Sequence, residues 1–377
     1  MIRPLRMAAG ASLATLVTLV GLAPASGAGA AGPRVTVAPA PLPQMTAARQ
    51  AARWLAGQFT PQGYIPVAPG ANQPNLSSTA QSVLALSAAT QDLSVARSGL
   101  AYLEAHVDQY VTSAGKDGPG QLALLILDAE SLGTDPRDFG GSDLVVRLLA
   151  TEQKTGPDTG LFGTEAQVTA FAAGSYQQGL ALSALAAAGI KGTAQVGTAI
   201  GWLAGEQCPD GGWTSPDSAA NACSGTPAAF AGPDTNSTAL AIEGLAAQGA
   251  VTPARSAGAL AFLGSGQDSD GGWSYYPNTA ATAGSTDPDS TALVIQSLIA
   301  LGISPTDPEF ARGSAKTPGE LTPVSALLSF QLTSGVDAGS FFFPPAPAPA
   351  SLLATSQYDR PEGPNGKASP ASAGTAW

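Results

Sequence analysis

Two stretches of this chain are near-copies of each other, and that copying limits what it can fold into more than any other feature. Gln207-Cys208-Pro209-Asp210-Gly211-Gly212-Trp213 and Gln267-Asp268-Ser269-Asp270-Gly271-Gly272-Trp273 stand sixty residues apart, Trp213 against Trp273. Each follows an apolar helical pattern, with Trp202 and Leu203 in one copy and Leu260, Phe262 and Leu263 in the other. Asp and paired Gly cannot continue a helix, and the Trp brings the chain back onto apolar surface. A polar loop then leads to Asp234-Thr235 in the first copy and Asp287-Pro288-Asp289-Ser290 in the second. Both are N-cap chemistry ahead of an apolar helical run. Copies at a fixed period predict a repeat architecture, in which each unit buries its apolar face only against its neighbours.

Gln, then Asp-Gly-Gly-Trp, after an apolar helix resembles the glutamine–tryptophan repeat of squalene/hopene and oxidosqualene cyclases. The following D-x-x-S-T-A-L-x-I, present from Asp234 and again from Asp287, is similar to the inner helices of that clan. Its members are the terpenoid cyclases, the β subunits of protein prenyltransferases and the helical domain of cobalamin carriers. The resemblance implies an all-α fold, an α/α toroid of about six helix pairs, with a ligand cavity at the inner-helix ends. It covers Thr193 to Gly302 well, and weaker copies extend it over most of the chain.

Those weaker copies are read in order. Ala51 to Gln58 parallels the Trp202 helix, Pro61-Gln62-Gly63-Tyr64 stands where Asp-Gly-Gly-Trp stands later, and Ser77 to Leu86 is an inner helix. A second unit runs from Val95 through Tyr102 to an inner helix at Gln121 to Leu132. A third has Leu144 to Gln153, a turn at Gly160-Leu161-Phe162-Gly163 and an inner helix from Ser175. A sixth begins near Pro323, closes at Phe341-Phe342-Phe343, and leaves Ser351 to Gln357 as a stunted inner helix. The expected organisation is a signal peptide over 1–28, an Ala/Gly/Pro-rich leader over 29–44, the toroid over 45–357 and a disordered tail over 358–377.

The signal reading rests on Arg3 and Arg6 ahead of an apolar stretch that is short for a membrane span and ends in small residues. It implies a secreted protein without a stable membrane anchor. The formal charge of −11 argues against nucleic acid as a partner. Export also makes a disulfide the expected state of Cys208 and Cys223, the only cysteines.

The chemistry of the clan does not carry over by its motifs. No D-x-D-D is present to crowd carboxyls so that one stays protonated, and no D-D-x-x-D to hold magnesium and a diphosphate. His106 is the sole histidine, which leaves neither a zinc-ligand set nor a Ser–His–Asp triad. No catalytic residue, metal site or cofactor is assigned. Asp234, Asp287 and Asp289 are helix caps by chemistry; alternatively they face the cavity with Tyr176, Gln177 and Tyr276 and hold a ligand's polar groups. The favoured function is a non-catalytic toroid binding an apolar or macrocyclic small molecule, corrinoid- or isoprenoid-like. A divergent terpene cyclase or prenyltransferase-like enzyme and an extracellular interaction scaffold stay open beside it.

Overall fold

The computed structural model describes residues 42–164, 173–214, 222–226, 231–277, 286–312 and 321–342. The expected signal segment, most of the leader, Ser351 to Gln357 and the tail lie outside them. The described residues hold twelve α-helices: α1 (Leu42–Ala56), α2 (Leu76–Ala88), α3 (Leu93–Ala105), α4 (Val107–Val111), α5 (Pro119–Leu132), α6 (Leu144–Ala150), α7 (Ser175–Ala187), α8 (Ala194–Gly205), α9 (Thr235–Ala247), α10 (Pro253–Gly266), α11 (Pro288–Ala300) and α12 (Pro323–Ser329). A short antiparallel hairpin, β1 (Thr112–Ser113) and β2 (Lys116–Asp117), sits between α4 and α5. The architecture is an α/α toroid.

Burial separates two rings. In α8 only Val196, Ala199, Trp202 and Leu203 are buried, one stripe of an otherwise wet helix. In α9 every residue but Ala246 is buried, and α5 is closed off almost as completely. Helices buried all round need small or apolar side chains on every face, which is why α2, α5, α7, α9 and α11 are built of Ala, Leu, Ser and Thr. Glycines let two of them touch backbone to backbone. A Cβ at Gly179 of α7 would sit 2.1 Å from the Leu240 carbonyl oxygen of α9, and one at Gly244 would sit 2.4 Å from that of Gly179.

The joins between units repeat the same contacts. Gln207 Nε2 donates within its own turn to Gly211 O (2.9 Å) and across to Arg255 O of α10 (3.0 Å). Gln267 does the same to Gly271 O and to Phe310 O, both at 2.8 Å. Gln331, in the last described unit, reaches Gly339 O (3.0 Å) and Ala47 O of α1 (2.8 Å). That contact brings the sixth unit onto the first, and Phe341, Leu327 and Phe330 pack with Ala51 beside it. The turn glycine at each join has to bring its backbone in close. Gly271 (φ +95°) and Gly339 (φ +103°) would place a Cβ 2.5 Å from Leu321 O and 2.3 Å from Gln50 O, so only glycine fits there.

The turn aromatic is fixed to the inner helix. Trp213 and Trp273 donate their backbone N–H to Thr238 and Thr291 Oγ1 (3.0 Å each), and their indole N–H to Leu203 O and Leu263 O. Ile65 and Phe162 repeat the backbone contact, donating their N–H to Thr79 Oγ1 and Gln178 Oε1.

The second unit departs from the pattern. Its outer helix breaks at His106, which lies between α3 and α4 rather than inside a helix, with its ring stacked on Tyr102 at 4.1 Å. The hairpin is tied down by Arg147 of α6, which grips Asp117 with two nitrogens and Asp108 with a third contact. The first helix also starts earlier than the sequence suggests, at Leu42. Cys208 and Cys223 form a disulfide with Cα atoms 5.4 Å apart.

Two stability outcomes follow from these joins. Gln331→Ala leaves two buried carbonyls without their donor and should lower the unfolding free energy by about 1–3 kcal/mol in urea titrations. Gln58→Ala, whose amide reaches Trp54 O in the last turn of the preceding helix and no carbonyl of a neighbouring unit, should cost clearly less. Replacing both cysteines by Ser should lower stability by at most about 3 kcal/mol, the loop-entropy value for a closure of this length.

Candidate functional site

All six residues singled out as ligand contacts stand at or beside the N-terminal ends of inner helices. Asp234 and Asp287 are the N-caps of α9 and α11. Asp234 Oδ1 accepts from Ser237 N (2.8 Å) and Oδ2 from the Ser237 hydroxyl (2.7 Å). Asp287 repeats this with Ser290 at 2.6 and 2.8 Å. Tyr275 links the two caps, giving its hydroxyl to Asp234 and its backbone N–H to Asp287. Both carboxyls are buried, and desolvation outweighs these hydrogen bonds. Asp234 is pushed up to about 7 and Asp287 to about 6.

Tyr276 is buried next to Tyr275, ring centroids 4.8 Å apart, and Asp234 lies near enough to raise its phenol further. Tyr176, in the first turn of α7, packs its ring on Ala239 and Leu240 of α9 and Leu293 of α11. Its hydroxyl is buried and without a hydrogen-bond partner. Burial and the nearby Asp289, Glu243, Asp234 and Tyr110 all push its pKa well up. Gln177 leans towards the start of α5, its Cγ close to Gly120, and its Oε1 is buried and unpartnered. Asp289 is half-buried in the first turn of α11. Tyr176, Asp234 and Asp289 are therefore brought together, with Tyr276 against Asp234, while Asp287 joins through Tyr275.

The structure adds residues that the sequence reading passed over. Asp128 of α5 and Glu243 of α9 are fully buried acids on inner helices. Both Asp128 oxygens and Glu243 Oε1 lack hydrogen-bond partners, and burial drives both groups well above the carboxylate range. Asn236 Oδ1 is buried and unpartnered too. Seven residues separate the polar members on successive inner helices: Gln121 and Asp128, Tyr176 and Ser183, Asn236 and Glu243, Asp289 and Gln296. Seven residues is two helical turns, so each pair shares one face. That spacing, on the segments the repeat marks as inner helices, is the sequence signal that would have found them.

The result is a set of buried acidic and phenolic groups on the inner helices, Tyr176 and Asp234 at the helix starts and Asp128 and Glu243 about two turns deeper, with burial favouring their protonated forms. Such groups can donate hydrogen bonds or protons. Among the described residues no three His, Cys, Asp or Glu side chains converge as metal ligands. A groove of about 360 Å³ lies elsewhere, lined by Ala56, Phe59, Pro61 and Val95 where the first turn meets α3; it touches none of these groups.

No protein-family model matches this sequence, and a search of curated proteins gives no match. Solved structures do match. A protein from Actinoplanes is 17% identical with a TM-score of 0.51, over 80% of this chain and 84% of that one. The apo type II terpene cyclase MstE from Scytonema is 16% identical with a TM-score of 0.51, over 80% and 82%. An apo variant of the same enzyme gives 15% and 0.50, over 79% and 80%. The fold is that of the terpenoid-cyclase-like α/α toroids. At these identities the likeness concerns the fold.

The buried caps make stability depend on pH. Each aspartate is about 3.8 when unfolded and higher when folded, so the native state holds the extra protons. Stability is then fullest below pH 4 as far as these groups go, and is lost as pH rises through 6 to 7. The melting temperature should fall by several degrees between pH 5 and 8. In Asp234→Asn with Asp287→Asn, which keeps cap chemistry without the titration, that slope should flatten.

Proposed function

We propose that this protein is an exported toroid that binds an apolar small molecule, isoprenoid-like in character, at the N-terminal ends of its inner helices. The observation that carries this reading is Tyr176: a buried ring packed on Leu240 and Leu293 whose hydroxyl has no partner among the described residues. An unpartnered buried hydroxyl costs about 1–3 kcal/mol, and a ligand polar group would remove that penalty. Gln177 Oε1 and Asn236 Oδ1 add two more unsatisfied oxygens at the same end of the ring. Asp234, Asp287 and Tyr276 serve as its frame, and Asp289 stands at its rim. The disulfide supports export.

A second reading, a divergent cyclase, is favoured by Asp128 and Glu243. Carboxyls kept neutral by burial are proton donors at neutral pH, and the Scytonema neighbour is a type II terpene cyclase. These acids stand on two different helices instead of in one D-x-D-D.

Native mass spectrometry on protein purified from its host's medium tests the first reading. A co-purifying small-molecule mass that organic extraction removes is expected, and a bare polypeptide mass would count against it. Incubation with polyprenyl substrates tests the second. A product whose formation falls to background in both Glu243→Gln and Asp128→Asn would establish the cyclase; unchanged substrate would remove it.

A further inference from the structure

The site's own atoms specify the polar group of its ligand, and this step rests on the binding reading above. We propose that the ligand carries an amine, bound as an ammonium beside Tyr176 and Glu243, with Asn236 and Asp289 nearer the helix starts. The unpartnered atoms here are chiefly oxygens: Asn236 Oδ1, Gln177 Oε1, Glu243 Oε1 and the Tyr176 hydroxyl. Amide oxygens only accept hydrogen bonds, so a ligand must bring donors, and an ammonium brings three. Every group whose charge reaches the Tyr176 hydroxyl is acidic: Asp289, Glu243, Asp234 and Tyr110. No basic side chain is among them, so an anionic ligand would find no opposite charge, whereas a cation would find acids able to ionise beside it.

Two features of the site would suit other ligands. Helix N-termini favour anions, each carrying about half a positive charge. Those of α9 and α11 are already met by the Asp234 and Asp287 caps. α5 and α7, whose cap residues Gly118 and Gly174 have no side chain to offer, present open ends, against the acids on the other helices. A bare metal cation would also satisfy oxygens, yet the acidic side chains do not converge as a ligand set. A cation extended by an apolar tail, lying against Ala239, Leu240 and Leu293, fits both the polar and the apolar halves of the site.

Charge balance is met on the spot. The amine enters neutral, takes the proton from the Glu243 carboxyl, and the ammonium and carboxylate remain as a pair. One O–H bond breaks, one N–H bond forms, and no net charge crosses the apolar wall.

Farnesylamine, farnesol and farnesoic acid share one tail and differ only in the head, so titration calorimetry of the full chain with each isolates the charge. The amine should bind on the order of tenfold tighter than the alcohol, the worth of one charged hydrogen bond, with the acid weakest. Glu243→Gln should bring the amine down to the alcohol's affinity. Asp289→Asn, at a half-buried position, should narrow the gap in the same direction and serves if the first variant does not fold. Alcohol binding equal to amine binding in the wild type would overturn the amine assignment and leave the binding reading standing. No binding by any of the three would overturn both.

Discussion

The ring depends on a side-chain amide that bonds in two directions. In Gln207, Gln267 and Gln331 the same Nε2 holds its own turn closed and reaches a carbonyl of the next unit. Neither bond is strong alone, about 1 kcal/mol net. Their consequence is geometric: the turn is locked in the shape that sets the next outer helix against it. The turn glycine then presses on that helix, and the aromatic after it is pinned to the Thr or Gln one turn into the inner helix. One residue type thus couples local turn, inner ring and outer ring. Closure comes from repeating this until Gln331 finds Ala47, 284 residues away in sequence.

Much of that was legible in the chain before any coordinates. The Gln, the glycine turn and the Trp of the fourth and fifth units are written out at a fixed period, and Asp-x-x-Ser announces the caps that Asp234 and Asp287 make. The partner of Gln331 was not legible, because Ala47 carries no mark of its role; its carbonyl does the work. The break at His106 was hidden for a similar reason: nothing in Tyr102 to Tyr110 outlaws a continuous helix. Asp128 and Glu243 were obscured by their surroundings. A lone acid in an amphipathic helix ordinarily faces water, so each reads as surface until the helix is known to be buried on every side.

That reversal bears on the site. On an outer helix a charged residue is neutral to stability, whereas on an inner helix of this ring an unpartnered acid is unfavourable by several kcal/mol and survives only in its protonated form. The same ring that supplies packing by Gly179 against Gly244 therefore also fixes the protonation of whatever polar group its inner face carries. A sequence could avoid the penalty with Leu or Ala, as most inner-helix positions here do. Instead, Asn236 with Glu243, Tyr176 with Ser183, and Gln121 with Asp128 recur two turns apart on three successive inner helices. Buried Ser and Thr occupy other inner-helix positions as well, but the larger polar side chains keep this spacing. The recurrence places polar capacity along the axis at two levels, near the helix starts and two turns deeper. The proposed ligand, mostly apolar and polar at one end, would meet that arrangement end to end.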